Sequence, residues 1–200
     1  MTDHIYAHEH PESDRTRGGG FTLWFTGLSG SGKTTIAHLV GPALDDRGHI
    51  VEYLDGDTVR THLSKGLGFS KEDRDAHIER VGWVASRLTR HGAVVIAAAI
   101  SPYAETRAKA REFVEQFGPF VEVHVKASVD ECARRDVKGL YAKAFAGEIK
   151  GFTGVDDPYE MPSAPDLVLD TEELSPEEAA QCVIERLVEL EAIPAHRVAV

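Results

Sequence analysis

Residues Gly27-Leu28-Ser29-Gly30-Ser31-Gly32-Lys33-Thr34 fill the pattern G-x-x-x-x-G-K-[ST], and this feature restricts the fold of the chain more than any other. The pattern works where a strand feeds a tight loop and a helix leaves it. Both flanks suit. The apolar run Phe21–Thr26 precedes the loop, and the helix-compatible stretch 34–44 comes after it. Glycines let successive backbone N–H groups turn inward around an anion, and the start of a helix adds partial positive charge. The loop, extended to Thr35, is therefore expected to wrap the phosphates of a nucleoside triphosphate. Lys33 would reach the β- and γ-phosphates, and the Thr34 hydroxyl would ligate Mg²⁺.

Around this loop the pattern alternates strand and helix. Strand-like runs fall at 21–26, 50–54, 93–99, 120–125 and 166–169, most of them continuously apolar, as in a parallel sheet covered on both faces. Helical periodicity falls at 34–44, 74–91, 104–117, 129–137 and 176–190. The last of these opens with Ser175-Pro176-Glu177-Glu178, a cap followed by proline and acids at the positive end. The succession predicts a three-layer α/β fold of P-loop type with roughly five parallel strands. At 200 residues the chain supports one ample core. We expect a single domain over 21–200 and a flexible polar arm over 1–20, where His4, His8 and His10 lack the partners of a metal site. The stretch 138–165 carries seven Gly or Pro residues without clear periodicity, together with Tyr141, Phe145, Phe152, Tyr159 and three lysines. Such a stretch reads as a mobile lid.

Charge and cysteine content narrow the function. The net charge of −11 disfavours nucleic acid and anionic membranes as partners. It also requires that any anionic substrate be held by local cations. No apolar run approaches the roughly 20 residues of a membrane span. The first twenty residues lack the apolar stretch of a secretory signal. Cys132 and Cys182, both on predicted helices, suit a reducing compartment, so a cytoplasmic location is expected.

The second strand runs into Leu54-Asp55-Gly56-Asp57, which places two carboxylates beside the phosphate loop at the C-terminal edge of the sheet. One can hold Mg²⁺ through water and one can take a proton from an attacking hydroxyl. The third strand ends Ala97-Ala98-Ala99 and supplies no acid, which argues against a GTPase or motor. Further on, Phe69 stands beside Arg60 and Arg74, a combination suited to stacking a base and pairing a phosphate. These residues leave open a small-molecule kinase of several kinds, including one for a sugar acid, a shikimate-like alcohol or a nucleotide. They also leave open an idle nucleotide-binding module.

At this point the chain resembles the adenylylsulfate kinases. The likeness runs from Thr22 to about Asp170. It rests on the phosphate loop, Leu54-Asp55-Gly56-Asp57 with Val59-Arg60, Leu67-Gly68-Phe69-Ser70 with Asp73-Arg74, and Ile100-Ser101-Pro102. Lys138-Gly139-Leu140-Tyr141 and Phe152-Thr153-Gly154 with Asp157-Pro158-Tyr159-Glu160 complete it. The resemblance implies transfer of phosphate from ATP to the 3′-hydroxyl of adenosine 5′-phosphosulfate (APS), in sulfate activation. It implies that Asp57, Arg60, Phe69, Arg74, Ile100, Ser101, Lys138, Phe152 and Thr153 contact the sulfonucleotide, with Phe69 and Phe152 on two faces of one adenine. The serine at the place of Ser101 is often described as a phosphoenzyme in this family. No base stands beside it in the sequence, so a hydrogen-bonding role is expected. A homodimer and an ATP-sulfurylase partner are further implications. Two departures stand out. His77 occupies the place of the usual Asn and is expected to donate a hydrogen bond to the acceptor and to titrate near neutral pH. Val137 stands where the family often has Pro. Arg135, at the root of the lid, is a candidate for stacking on the ATP adenine, by analogy with other small kinases.

Overall fold

The structure, a computed structural model, describes residues 19–195. The expected arm therefore lies outside the described residues, apart from Gly19 and Gly20. Five short runs rich in Val, Ile, Leu and Phe pair as parallel strands in the order β2-β3-β1-β4-β5. They are β1 (Phe21–Thr26), β2 (Val51–Asp55), β3 (Val94–Ala98), β4 (Phe120–Lys126) and β5 (Leu167–Asp170). Among the described residues six helices lie between them, α1 (Lys33–Asp45), α2 (Gly56–Leu63), α3 (Lys71–Arg90), α4 (Ala104–Glu115), α5 (Val129–Arg135) and α6 (Leu140–Phe145), and a seventh, α7 (Pro176–Glu189), follows β5.

Side chains alternate across β1 and build the two halves of the core. Phe21, Leu23 and Phe25 point to one face and pack with α1 and α7. Trp24 points to the other and packs with Val59 of α2, with α3 and with α4. This is the expected three-layer arrangement. Strand order reverses at β1, so the crevice beyond its C-terminal end is where an α/β sheet of this kind receives its ligand.

Three local features differ from the expectations raised by the sequence. β2 lies at an edge of the sheet, and its residues Glu52 and Tyr53 are exposed. The Asp-Gly-Asp segment runs from the end of β2 into a helix, α2, over residues to which the sequence pattern assigns no element. The Asp55 side chain accepts from the backbone N–H groups of Asp57 and Thr58 and so caps that helix. The stretch 138–165 contains α6, and the segment beyond that helix is docked on the body of the protein. Asp156 accepts from the N–H groups of Gly151 and Phe152, and the Glu160 N–H donates to the Pro102 carbonyl.

Candidate active site

The site grows from the C-terminal ends of β1, β2 and β3. Gly27 (φ 150°) leaves β1 and Gly32 (φ 104°) caps α1, both in backbone conformations that side chains rarely adopt. A Cβ on Gly27 would also collide with the Val125 carbonyl oxygen. Inside the loop the Lys33 ammonium is buried. It donates to the carbonyls of Gly27 (2.9 Å) and Leu28 (2.7 Å) and lies 3.5 Å from Ser31 Oγ. Burial pulls its pKa down to about 8, against the opposing pull of Cys132, Asp57 and Asp55.

Lid and helix residues brace the loop from behind. The Tyr141 hydroxyl donates to the Ser29 carbonyl at 3.0 Å. Arg135 donates to Gly30 O (3.4 Å), Ser31 O (3.5 Å) and both oxygens of Thr171 (3.0 and 2.7 Å). Its guanidinium is thus anchored to the loop and to Thr171 at the end of β5.

The metal-binding and acid–base groups meet in front of the loop. Thr34 and Thr35 are both exposed there. The Thr34 hydroxyl donates to Asp55 Oδ2 at 3.1 Å. The other Asp55 oxygen accepts from the N–H groups of Asp57 (3.1 Å) and Thr58 (3.2 Å). Asp57 stands free of that cap, exposed in the first turn of α2, where its carboxylate pairs with Lys138 of the lid. Among the described residues no group of three or more His, Cys, Asp or Glu side chains could cage a metal. A hydroxyl with one adjacent carboxylate nevertheless fits Mg²⁺, which keeps several waters and takes few protein ligands.

A groove of about 340 Å³ opens beside α2, lined in part by Asp57, Arg60, Ser64 and Leu67. Arg60 donates to the Gly68 carbonyl (2.8 Å) and lies over the Phe69 ring at 4.7 Å. That ring is 66% exposed, so one face can take a planar ligand. Phe152 meets Tyr141 edge-on at 4.9 Å. Arg74 ties the two aromatic segments together. It is buried, and its Nε donates to the Phe69 carbonyl at 2.7 Å, while its two terminal nitrogens donate to Thr153 Oγ1 and the Gly151 carbonyl. Asp157 lies 3.4 Å from it. Arg74 is therefore a brace between the Phe69 loop and the lid, with all three guanidinium nitrogens engaged, where the sequence suggested a cation for pairing a phosphate.

His77 overturns one expectation. It is buried beneath α2, where Nδ1 shares a hydrogen bond with Ser64 Oγ at 2.8 Å. Burial, with Arg60 and Arg80 nearby, lowers its pKa to about 4. A neutral imidazole held inside the protein does not titrate near neutral pH, because charging it would strand a cation without solvent.

Beyond β3, the Ile100 carbonyl accepts from Thr26 Oγ1 at 2.7 Å. Ser101 is buried with φ 42°, a conformation that costs about 1–3 kcal/mol for a non-glycine residue and survives only where its surroundings over-determine it. Its hydroxyl accepts from Trp24 Nε1 (3.1 Å) and donates weakly to Ala99 O (3.4 Å). Among the described residues these are the hydrogen-bond partners of the hydroxyl. Two features are not evident from the sequence: Tyr141 as a brace of the phosphate loop, and Arg107, which donates to the Ser101 carbonyl at 2.7 Å. Tyr141 lies in one of the family-like motifs, Lys138-Gly139-Leu140-Tyr141, which could have marked it. Arg107 gives no signal, since an arginine on an amphipathic helix reads as solvated.

Residues 19–170 match the sequence model of a family described as adenylylsulphate kinase. The chain is 55% identical over 171 residues to the adenylyl-sulfate kinase of Picosynechococcus sp., covering 86% of this chain and 95% of that one. It is 51% identical over 181 residues (90% of this chain) to a Sorangium cellulosum protein named probable bifunctional SAT/APS kinase 2, of which it covers 31%. Among solved structures it is similar to the Mycobacterium tuberculosis APS kinase CysC in complex with AMPPNP and APS. There the TM-score is 0.81 at 47% identity, covering 86% of this chain and 98% of that one.

Proposed function

The chain belongs to the adenylylsulphate kinase family, and from that premise we propose which of its residues carry the reaction. The activity is phosphorylation of APS by ATP, giving 3′-phosphoadenosine 5′-phosphosulfate and ADP. In the proposed arrangement the backbone from Gly27 to Thr35 cradles the ATP phosphates. Lys33 turns from the loop carbonyls to the β- and γ-phosphates, where its charge offsets the negative charge of the transferring group. When bound, Mg²⁺ supplies further neutralisation between those phosphates. Thr34 would hold it directly and Asp55 through water.

Asp57 is the group that takes the proton of the 3′-hydroxyl. It is exposed, in the first turn of α2 and next to the Thr34–Asp55 pair, so one carboxylate can face both acceptor and metal waters. Phe69 and Phe152 bracket the acceptor adenine. Arg60 and Lys138 hold the phosphosulfate, and Arg74 and Thr153 keep the two rings in register. Ile100 and Ser101 present hydrogen-bonding groups to the acceptor from the end of β3. The lid over 138–165 closes on bound nucleotide and excludes water. A cytoplasmic location, a homodimer and association with an ATP sulfurylase belong to the same reading. Both described cysteines are free thiols, and no helix among the described residues is long and apolar enough to cross a membrane.

The observation that carries these assignments is the Thr34–Asp55–Asp57 hydrogen-bonded run in front of the loop, with Lys33 buried inside the loop beside it. An idle module has no need to keep all four in place. The test is ADP release with a panel of acceptors. APS alone should give substantial turnover. A preference for a sugar acid, shikimate-like alcohol or plain nucleotide would overturn the acceptor assignments.

A further inference from the structure

Arg107, on α4, lies outside the groove and the phosphate loop. It is buried, and each nitrogen of its guanidinium serves a different part of the chain. Nε donates to Glu122 of β4 at 2.9 Å, one terminal nitrogen to the Ser101 carbonyl at 2.7 Å, and the other to the Glu160 carbonyl at 2.7 Å. A planar fork with fixed donor directions can set three partners in one register, which a single-point ammonium cannot. The Glu122 carboxylate supplies the charge partner that a buried guanidinium requires.

Two of those partners belong to segments the reaction uses. Ser101 forms the left-handed turn after β3 that faces the acceptor. Glu160 lies near the outgoing end of the lid. Its N–H donates to the Pro102 carbonyl at 2.8 Å, and its carboxylate accepts from the Ala104 N–H at 2.7 Å. Beside it the Tyr159 hydroxyl meets Thr26 Oγ1 at 3.0 Å, the same hydroxyl that donates to the Ile100 carbonyl. The outgoing end of the lid and the Ile100–Ser101 turn therefore form one unit, with Arg107 beneath both.

We propose that Arg107 is a positioning residue for the acceptor, fixing the Ile100–Ser101 turn and the outgoing hinge of the lid in a single register. The assignment rests on the proposed function, in which this turn faces the sulfonucleotide. The phosphate loop takes no hydrogen bond from Arg107, so ATP binding lies outside its reach.

The test uses Arg107→Lys, which keeps a cation opposite Glu122 but cannot hold three partners. Arg111→Lys serves as a comparison, since Arg111 shares Glu122 with Arg107 and pairs also with Asp166, but contacts neither the turn nor the lid. The KM for APS should rise by roughly ten- to a hundredfold in Arg107→Lys, the scale of a small misplacement remote from the chemistry. The KM for ATP should stay within about twofold, and Arg111→Lys should change neither constant. Amide exchange should speed up at 100–103 and 159–161 in Arg107→Lys and stay unchanged in α1. An APS KM like the parent's, or ATP and APS KM values rising together, would overturn the proposal. If the parent enzyme itself turned over no APS, the functional reading would have failed, and the exchange pattern would still decide whether Arg107 pins the two segments.

Discussion

Lys33 is held where its charge depends on what it faces. Buried among loop carbonyls, it has a pKa of about 8, far below that of a free lysine. Triphosphate oxygens favour the charged form and should raise that value. The free enzyme should therefore lose kcat/KM for ATP as pH rises through about 8, while kcat in the loaded enzyme holds to higher pH. Coincident pH profiles for the two constants would contradict this. Lys33→Ala should lower turnover about a thousandfold, as when a preorganised electrostatic donor is removed. Asp57→Asn should lower kcat by about 10²- to 10⁴-fold without harming the fold, since its side chain is exposed. His77 is misleading in the sequence, because a histidine beside substrate-contacting residues looks like a pH-sensitive ligand. The structure makes it a neutral prop under α2. Folded His77 titrates near pH 4 and the unfolded chain near 6.5. Between those values the unfolded state binds more protons, so the stability due to neutral His77 is full above about 6.5 and is lost as pH falls towards 4. His77→Asn should flatten that part of the stability–pH curve by roughly 2–3 kcal/mol and leave the APS KM without an inflection at pH 6–7 in either protein. Denaturant melts from pH 7 to pH 4 measure the first, and steady-state kinetics the second.

At the scale of elements, the long periodic helices and the buried strands are legible in the sequence, because both faces of a central strand must be apolar and a helix must show a stripe. The two helices that escape such a reading carry weaker signals. α2 has only eight residues, begins with Gly56 and contains the β-branched Thr58, Val59 and Thr61. It forms because Asp55 caps it and Val59 enters the core beside Trp24. α6 has six residues. It stays ordered through the hydrogen bonds that Asp136 accepts from the Tyr141 and Ala142 N–H groups and through Tyr141 packed on Cys132 and Leu28. Glycine content alone makes the segment look irregular. The two aromatic walls differ in the same way. Phe69 is exposed and Phe152 is packed on Tyr141, so truncating them should have unequal effects. Phe69→Ala should raise the APS KM by the equivalent of about 1–3 kcal/mol, the scale of one base–aromatic stack. Phe152→Ala should do the same and also speed amide exchange across 138–158 in the absence of ligand. With ATP analogue and APS bound, exchange over 138–165 should slow in the parent. Equal exchange with and without ligands would show that the segment does not close, and equal effects on ATP affinity would remove both rings from the acceptor site.

At the scale of the whole molecule, the position of the crevice is implied by the phosphate loop, because a strand–loop–helix of this kind sits at the reversal point of a parallel sheet. What composition does not locate is where the charge lies. The chain carries −11 overall, yet Lys33, Arg60 and Lys138 gather at the C-terminal edge of the sheet. Both substrates are polyanions, so they approach against the field of the whole and dock into the field of the site. The two fields differ in range. Repulsion from charges spread over the surface acts across more than about 10 Å and is largely screened near 0.1 M salt, where the Debye length is about 10 Å. Contacts made inside the groove are shorter than that and persist. Raising ionic strength from about 0.01 to 0.1 M should therefore increase kcat/KM for APS a few-fold, the reverse of the usual response of electrostatically steered enzymes. Above that range kcat/KM should level and then fall as the short contacts begin to be screened. The Asp57→Asn variant should show the same rise on a lower baseline, because the repulsion comes from the surface and not from the base. Second-order rate constants at constant pH across that salt range provide the measurement. A steady decline from the lowest salt upward would mean that the local cations dominate the approach as well as the binding.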